Sequence, residues 1–131
     1  MTPELTVLAL ACLLQCAQFV SIAIPANMQI GTDYMASPRD TDPPRELSVS
    51  AGRLRRAFLN HFEGLTLFAP AALIIAVSAQ STGFTAACAW AYLIARIVYV
   101  PAYVLGWTPW RSLIWAVGFA ATLLMLLAAL V

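Results

Sequence analysis

Four long apolar segments alternate with polar connections along the chain, at residues 5–24, 54–78, 85–105 and 112–131, and Pro25 is expected to end the first. Each is close to the ~20 residues that a helix needs to cross about 30 Å of hydrocarbon. None shows the alternation of apolar and polar residues that is typical of a membrane β-strand. Because a helix satisfies its own backbone hydrogen bonds in lipid, the pattern predicts an all-α integral membrane protein, a bundle of four transmembrane helices.

The three connections between these segments differ in length and charge. Residues 25–52 are polar and rich in turn residues, so this connection either folds over one membrane face or stays mobile. The second connection, QSTG at 80–83, is uncharged, and the third, GWTPW, is followed directly by Arg111. Five of the seven arginines lie between Arg39 and Arg56, and the chain has no lysine. The positive-inside rule therefore predicts that the first and third connections face the cytoplasm and that both termini lie on the other side.

The composition supports a single membrane domain over residues 1–131. The chain is 62% hydrophobic and 10% charged, whereas about a quarter of the residues of a soluble domain are charged. Any chemistry must therefore take place in or at the bilayer, and we expect no nucleic-acid partner. One histidine, His61, and the pair Cys12 and Cys16 without a histidine are not a metal-binding pattern, so we expect no metal. For His61 we expect surface or interface packing.

Polar side chains enter the start of the second apolar segment. Four of them are spaced i, i+3, i+7 and i+10: Arg53, Arg56, Asn60 and Glu63. A helix with 3.6 residues per turn places all four on one face. A solvated helix end explains the arginines, but Glu63 lies about 15 Å inside the segment at 1.5 Å per residue. An ionisable group at that depth normally faces protein or a water-filled cavity and has a partner.

The third apolar segment supplies a candidate partner, Arg96, on a helical stripe with Tyr92, Tyr99 and Tyr103. Arg96 also lies about 15 Å from the cytoplasmic end of its segment, at the depth of Glu63. A charge that is paired between adjacent helices costs much less in a bilayer than an isolated one. The sequence therefore predicts a Glu63–Arg96 ion pair, with a purely structural clamp as the alternative to a role in chemistry.

Further polar side chains lie nearer the same membrane face than the expected ion pair. They are Arg53, Arg56, Asn60, Tyr99, Tyr103 and Arg111. Their hydrogen-bond donors outnumber what Glu63 can accept, so the sequence predicts a cationic, tyrosine-lined pocket that opens to the cytoplasm. Guanidinium groups without carboxylate partners favour an anionic ligand, best a carboxylate or phosphate that takes bidentate contacts.

Three motifs on these helices resemble the MAPEG superfamily: RAFLNHFE at 56–63, ARIVYVPAY at 95–103 and RSLIW at 111–115. Members of this superfamily include microsomal glutathione transferases, leukotriene C synthase and microsomal prostaglandin E synthase. The resemblance covers residues 53–115, and the four-helix arrangement extends it to the whole chain. It implies a homotrimer of four-helix bundles, with glutathione bound between neighbouring protomers at the cytoplasmic end.

The resemblance also implies roles for individual residues. The family's glutathione contacts match Arg56, Asn60, Glu63, Tyr99, Tyr103, Arg111 and Ser112. Arg53 occupies a position that is often basic in the family, and Arg96 matches the buried arginine near the motif glutamate. In such a site Glu63 holds the ammonium group of the tripeptide and arginines hold its carboxylates. Arg111 is expected to favour the thiolate, because a cation lowers the pKa of a nearby thiol, and Ser112 is the alternative as a hydrogen-bond donor to the sulfur.

The function favoured by the resemblance is a glutathione-dependent membrane transferase or peroxidase acting on lipophilic electrophiles from the bilayer. Two alternatives stay open: a non-catalytic MAPEG-like protein that binds lipid or a partner, and a four-helix transporter in which Glu63 exchanges protons and substrate. Phe58 and Leu59 stand where the eicosanoid enzymes are often polar or basic, which argues against an eicosanoid substrate. The three tryptophans within 107–115, among them Trp115, predict an interfacial aromatic belt, with a wall for a hydrophobic co-substrate as the alternative.

Overall fold

The computed structural model describes residues 1–131 and contains helices and their connections, without strands. The helices are α1 (Pro3–Ile30), α2 (Thr32–Met35), α3 (Val49–Val77), α4 (Gly83–Val104) and α5 (Trp110–Ala128). The four long helices are each long and apolar enough to cross a membrane. The predicted all-α fold with four transmembrane helices is therefore confirmed, and each long helix contains the greater part of one predicted segment.

The first helix is longer than predicted at its polar end. The prediction that Pro25 ends it is wrong, because α1 passes through Pro25 and continues to Ile30. Proline removes one backbone hydrogen bond, a loss that a long membrane helix tolerates. The residue that ends α1 is Gly31, whose φ of 108° is readily available only to glycine. Its N–H donates to the carbonyl of Asn27 at 3.1 Å and closes the last turn.

Helix α3, which contains the second predicted segment, begins at Val49, before the predicted start at residue 54. Ser48 is its N-cap, and the Ser48 Oγ accepts a hydrogen bond from the N–H of Ala51 at 3.2 Å. The first turns of α3 are polar, so hydropathy alone places the start of the helix too late. These turns extend the arginine-rich end of α3 beyond its apolar part.

The long connection between α1 and α3 folds back over the end of the bundle, which is the first of the two predicted alternatives. The Gln29 side chain accepts from the N–H of Ser48 at 2.7 Å and donates to the Ser48 Oγ at 3.3 Å. Within the connection, the Tyr34 hydroxyl donates to the carbonyl of Thr41 at 2.8 Å. These bonds join the end of α1 to the start of α3 and hold the segment 31–48 against both helices.

Helices α3 and α4 form the centre of the bundle, because each packs against all the other long helices, whereas α1 and α5 do not contact each other. The apolar core contains many alanines, which let the helix backbones approach closely. At its centre the rings of Phe68 and Tyr92 stack with centroids 3.9 Å apart. Large apolar side chains on the outer faces are exposed, as expected for surfaces that face lipid.

A buried polar cluster joins α1 to α3 between this core and the arginine-rich end. His61 is only 1% exposed, so it does not pack at the surface, and it lies instead at the interface between α1 and α3. Its Nδ1 lies 2.6 Å from Oε1 of Gln15 and 3.0 Å from Oε1 of Gln18. Since both partners are carbonyl oxygens, Nδ1 must carry the proton and donate. Gln15 in turn donates from Nε2 to the carbonyl of Phe58 at 3.2 Å. This bond fixes the position of α1 along the axis of α3.

A second buried polar cluster lies at the opposite end of the bundle, around Glu4. This side chain is fully buried and accepts hydrogen bonds from the Thr85 Oγ1 at 2.5 Å and the Ser81 Oγ at 2.8 Å. Thr85 also completes a capping box with Thr82 at the start of α4. The cluster therefore ties the first turn of α1 to the turn between α3 and α4.

We expect Glu4→Ala to lower the free energy of unfolding by about 1–3 kcal/mol, because it removes the acceptor of the buried Thr85 hydroxyl and of the Ser81 hydroxyl. Thermal unfolding in detergent measures the effect. Glu46→Ala, which removes an exposed carboxylate from the long connection, is the control and should leave the melting temperature unchanged. Equal melting temperatures for Glu4→Ala and the wild type would show that the cluster contributes nothing to stability.

Candidate functional site

A cleft of about 430 Å³ opens at the arginine-rich end of the bundle, between α3, α4 and α5. Nine residues line it: Arg56, Leu59, Asn60 and Glu63 from α3, Tyr99 and Tyr103 from α4, and Arg111, Ser112 and Trp115 from α5. Seven of the nine are site residues predicted from the sequence. The three helices therefore bring most of the predicted site together in one cavity.

The two tyrosines form the α4 wall of the cleft. Tyr99 and Tyr103 are four residues apart, so they lie on the same helical face. Their rings meet edge to face, with centroids 5.7 Å apart and an interplanar angle of 73°. Tyr99 is buried, while Tyr103 is partly exposed nearer the end of the helix.

Tyr103 holds one arginine from each neighbouring helix. Arg56 of α3 donates from Nε to the Tyr103 hydroxyl at 3.1 Å. Arg111 of α5 places its Cζ 4.6 Å from the centroid of the same ring, within the range of a cation–π contact. Neither arginine lies within 4.0 Å of a carboxylate oxygen. The cleft therefore contains two guanidinium groups that no acidic side chain neutralises.

The expected Glu63–Arg96 ion pair is not formed. Arg96 is 4% exposed and donates from Nη2 to Oδ1 of Asn60 at 3.0 Å, with its Cζ 4.8 Å from the centroid of the Tyr99 ring. No Arg96 nitrogen lies within 4.0 Å of a Glu63 oxygen. Glu63 is exposed and lines the cleft, whereas Arg96 does not line it.

The residue of α3 that lies beside Arg96 is Gly64 and not Glu63. A Cβ on Gly64 would lie 3.2 Å from the Tyr92 hydroxyl and 3.6 Å from Cζ of Arg96, so both side chains of α4 pack against α3 at the glycine. Glu63 is one residue earlier and points about 100° away around the helix. Arg96 therefore packs beside the next residue of α3 and not against the Glu63 carboxylate.

Arg53 also lies outside the cleft. Its Nη1 donates to the carbonyl of Val104 at 3.0 Å, in the last turn of α4. The same guanidinium lies beside Gly106, where φ is +70°, and a Cβ there would be 3.1 Å from Nη1. Arg53 therefore binds an unpaired carbonyl at a helix C-terminus and holds the α4–α5 turn against α3.

Two apolar residues of the cleft, Leu59 and Trp115, were not among the predicted site residues. Helical spacing is the signal that could have found them, since Leu59 is three residues after Arg56 and Trp115 is four after Arg111. Both are about two-fifths exposed, and the Trp115 ring stacks on Phe119 with centroids 5.2 Å apart. The second interpretation of Trp115, a hydrophobic wall, agrees with this position.

The cleft offers chemically distinct contacts on one small surface. Arg56 and Arg111 supply positive charge, and Glu63 supplies a carboxylate that is bound to no arginine. Ser112 adds a hydroxyl group, and Trp115 adds an apolar face. These contacts suit a zwitterionic ligand that carries carboxylates and an ammonium group and that meets a lipophilic molecule at its side.

Comparison with known families agrees with this arrangement of helices and site. The model of the MAPEG family matches residues 5–131, which is nearly the whole chain and includes all four long helices. Comparisons with curated proteins and with solved structures found no match. With four helices suited to cross a bilayer, and with a family match that covers them all, the chain belongs to the MAPEG family and is an integral, multi-pass membrane protein.

Proposed function

We propose that the protein is a glutathione-dependent membrane transferase or peroxidase that acts on lipophilic electrophiles. The observation that carries the proposal is the charge pattern of the cleft, in which two arginines and one glutamate are not paired with each other. Glutathione has complementary groups: an ammonium for the glutamate, and a carboxylate and a thiolate for the two arginines. A site built only to hold helices together would pair its own charges, because uncompensated charges are costly where water is scarce.

Each charged residue of the cleft has a partner in this proposal. Glu63 binds the ammonium group, and Arg56 binds a carboxylate, for which a guanidinium fork is well suited. Tyr103 orients the Arg56 side chain through its 3.1 Å hydrogen bond and so reduces the entropy that binding costs. Asn60 is held by Arg96, which keeps its amide group fixed at the base of the cleft.

The chemistry that glutathione supplies is nucleophilic attack by its sulfur, as the thiolate, on an electrophilic atom whose leaving group departs with the bonding electrons. Arg111 stabilises the negative charge on sulfur, since a guanidinium near a thiol favours the thiolate. Ser112 is adjacent in sequence and offers an O–H donor for the same sulfur. Leu59 and Trp115 form the apolar side of the cleft, through which a lipophilic molecule reaches the sulfur from the bilayer.

Assembly into a homotrimer, with the cleft between neighbouring protomers, is part of the same proposal. The cleft lies at the surface of the bundle, and the exposed faces of Leu59 and Trp115 are available to a neighbouring subunit or to lipid. The arginine-rich end faces the cytoplasm by the positive-inside rule, where glutathione is abundant.

The strongest competitor is a non-catalytic binding protein of the same family. Arg111 favours it in one respect, because its guanidinium already has an aromatic partner in Tyr103. A transporter fits less well, since the closed apolar core around Phe68 and Tyr92 separates the cleft from the opposite end of the bundle.

Calorimetric titration of the purified protein with glutathione tests the proposal, followed by ultraviolet absorbance of the thiolate in the complex. We expect binding together with thiolate absorbance and turnover of a lipophilic electrophile. S-methylglutathione, which keeps the charged groups but has no ionisable thiol, is the control and should bind without that absorbance. Binding without thiolate or turnover would favour the non-catalytic alternative, and no binding at millimolar glutathione would reject the proposed function.

A further inference from the structure

A second and larger cavity, of about 1050 Å³, lies between the end of α1, the segment 31–48 and the start of α3. We call it the loop groove. Neither the family match nor the proposed chemistry assigns it a ligand. We propose that the loop groove binds one anionic phospholipid from the membrane leaflet at the arginine-rich end of the bundle.

The charge of the loop groove points to an anionic headgroup. Four arginines line it, against one glutamate: Arg39, Arg45, Arg55, Arg56 and Glu46. None of the four lies within 4.0 Å of a carboxylate oxygen. Arg39 is engaged with the carbonyl of Met35, to which its Nη2 donates at 2.9 Å. Arg45 and Arg55 are exposed, and their guanidinium forks are available to a phosphate group.

The opposite wall of the loop groove is apolar, which a soluble anion would not need. Ile22 and Ala26 of α1 are buried and line it, and Phe58 of α3 faces them. The Phe58 ring lies 6.0 Å from that of Phe19, which is 58% exposed on the outer face of α1. The groove therefore runs from an arginine rim at the helix ends to an apolar surface that faces lipid. A phospholipid matches this order, because it has a charged headgroup at one end and apolar chains at the other.

The loop groove is formed before any ligand binds, because hydrogen bonds hold its outer wall. Gln29 joins the end of α1 to Ser48 through two hydrogen bonds, and Tyr34 binds the carbonyl of Thr41. A preformed site loses less conformational entropy on binding than a mobile loop does.

Leu59 and Arg56 line both cavities, so a bound lipid would lie against one wall of the cleft. The proposal does not depend on glutathione.

Lipid binding by the full chain in a neutral detergent tests this inference. Native mass spectrometry would compare dioleoyl phosphatidylglycerol with dioleoyl phosphatidylcholine, which have the same chains and differ in headgroup charge. We expect phosphatidylglycerol to bind at least about tenfold more tightly, and the double variant Arg45→Gln/Arg55→Gln to weaken it about thirtyfold, because two cations near an anionic headgroup are lost. Phosphatidylcholine binding should be unchanged.

Matched variants separate the loop groove from the general charge of this end of the bundle. Arg53→Gln removes one charge there outside the groove and should change phosphatidylglycerol binding less than about threefold. Ala23→Phe fills the apolar part of the groove and should weaken both lipids, whereas Ala9→Phe, exposed on the same helix outside the groove, should weaken neither.

The inference would be overturned by equal affinity for the two lipids, by wild-type affinity in the double variant, or by an equal loss in Arg53→Gln. Full displacement of phosphatidylglycerol by millimolar inorganic phosphate would instead assign the arginines to a free anion and would also reject a lipid site. If the double variant is unfolded by its melting curve, the pair Ala23→Phe and Ala9→Phe decides the question.

Discussion

Arg111→Ala is expected to lower the rate of glutathione conjugation by about 10²–10³-fold while glutathione still binds. The guanidinium lies in the cleft, 4.6 Å from the centroid of the Tyr103 ring, and has no carboxylate partner. Its charge is therefore available to a developing thiolate, and its removal should raise the fraction of bound glutathione that stays protonated. Turnover of a lipophilic electrophile and thiolate absorbance of the complex measure the two effects separately.

Two neighbouring variants serve as controls for this prediction. Arg111→Lys keeps a positive charge but loses the planar fork, so it should retain part of the thiolate absorbance that Arg111→Ala loses. Ser112→Ala removes only the hydroxyl group. If Ser112→Ala abolishes the absorbance and Arg111→Ala does not, the serine has the role proposed for the arginine. If neither variant changes absorbance or turnover while glutathione binds, the site is not catalytic in the proposed way.

The helices could be predicted from the sequence more reliably than their ends. Twenty apolar residues in lipid leave few alternatives to a helix, so four segments give four helices. Pro25 was a poor guide, because one missing hydrogen bond does not end a long helix, whereas Gly31 ends α1 through a backbone conformation that other residues avoid. The polar first turns of α3 were missed because hydropathy reports the lipid boundary and not the helix boundary.

The composition of the cleft could also be predicted, because helical spacing places Arg56, Asn60 and Glu63 on one face. The partner of Arg96, which is Asn60 and not Glu63, could not be predicted. Depth along the helix can be counted from the sequence, but the sequence does not show that Arg96 packs beside Gly64 and not beside Glu63. Periodicity gives each helix a face and does not say how far two helices are rotated against each other.

Buried contacts between distant parts of the chain were the least accessible to sequence analysis. Gln15 and Gln18 look like isolated polar residues in an apolar segment, and only the packed bundle shows that both face His61. Glu4 looks like a solvated residue before the first membrane segment, yet it is fully buried against Thr85. Their partners are more than forty residues away, and no local pattern identifies them.

The second large effect is expected from Glu63→Gln, which should weaken glutathione binding by about 10–100-fold, the loss typical of one charged hydrogen bond. The structure also predicts that this variant stays folded. Arg96 is bound to Asn60 and not to Glu63, so neutralising the glutamate leaves no buried arginine without its partner. Asn60→Leu is the contrasting variant, and it should lower the melting temperature because Nη2 of Arg96 loses its acceptor.

A glutathione analogue without the α-amino group makes the assignment of Glu63 specific. The wild type should bind the analogue about 10–100-fold more weakly than glutathione, whereas Glu63→Gln should bind the two ligands equally, because the lost partners are the two halves of one contact. Calorimetry gives all four affinities. If the amino group contributes as much in Glu63→Gln as in the wild type, the glutamate does not bind it. If Glu63→Gln instead melts at a much lower temperature, its carboxylate is needed by Arg96 after all, and the unpaired charges on which the glutathione proposal depends do not exist.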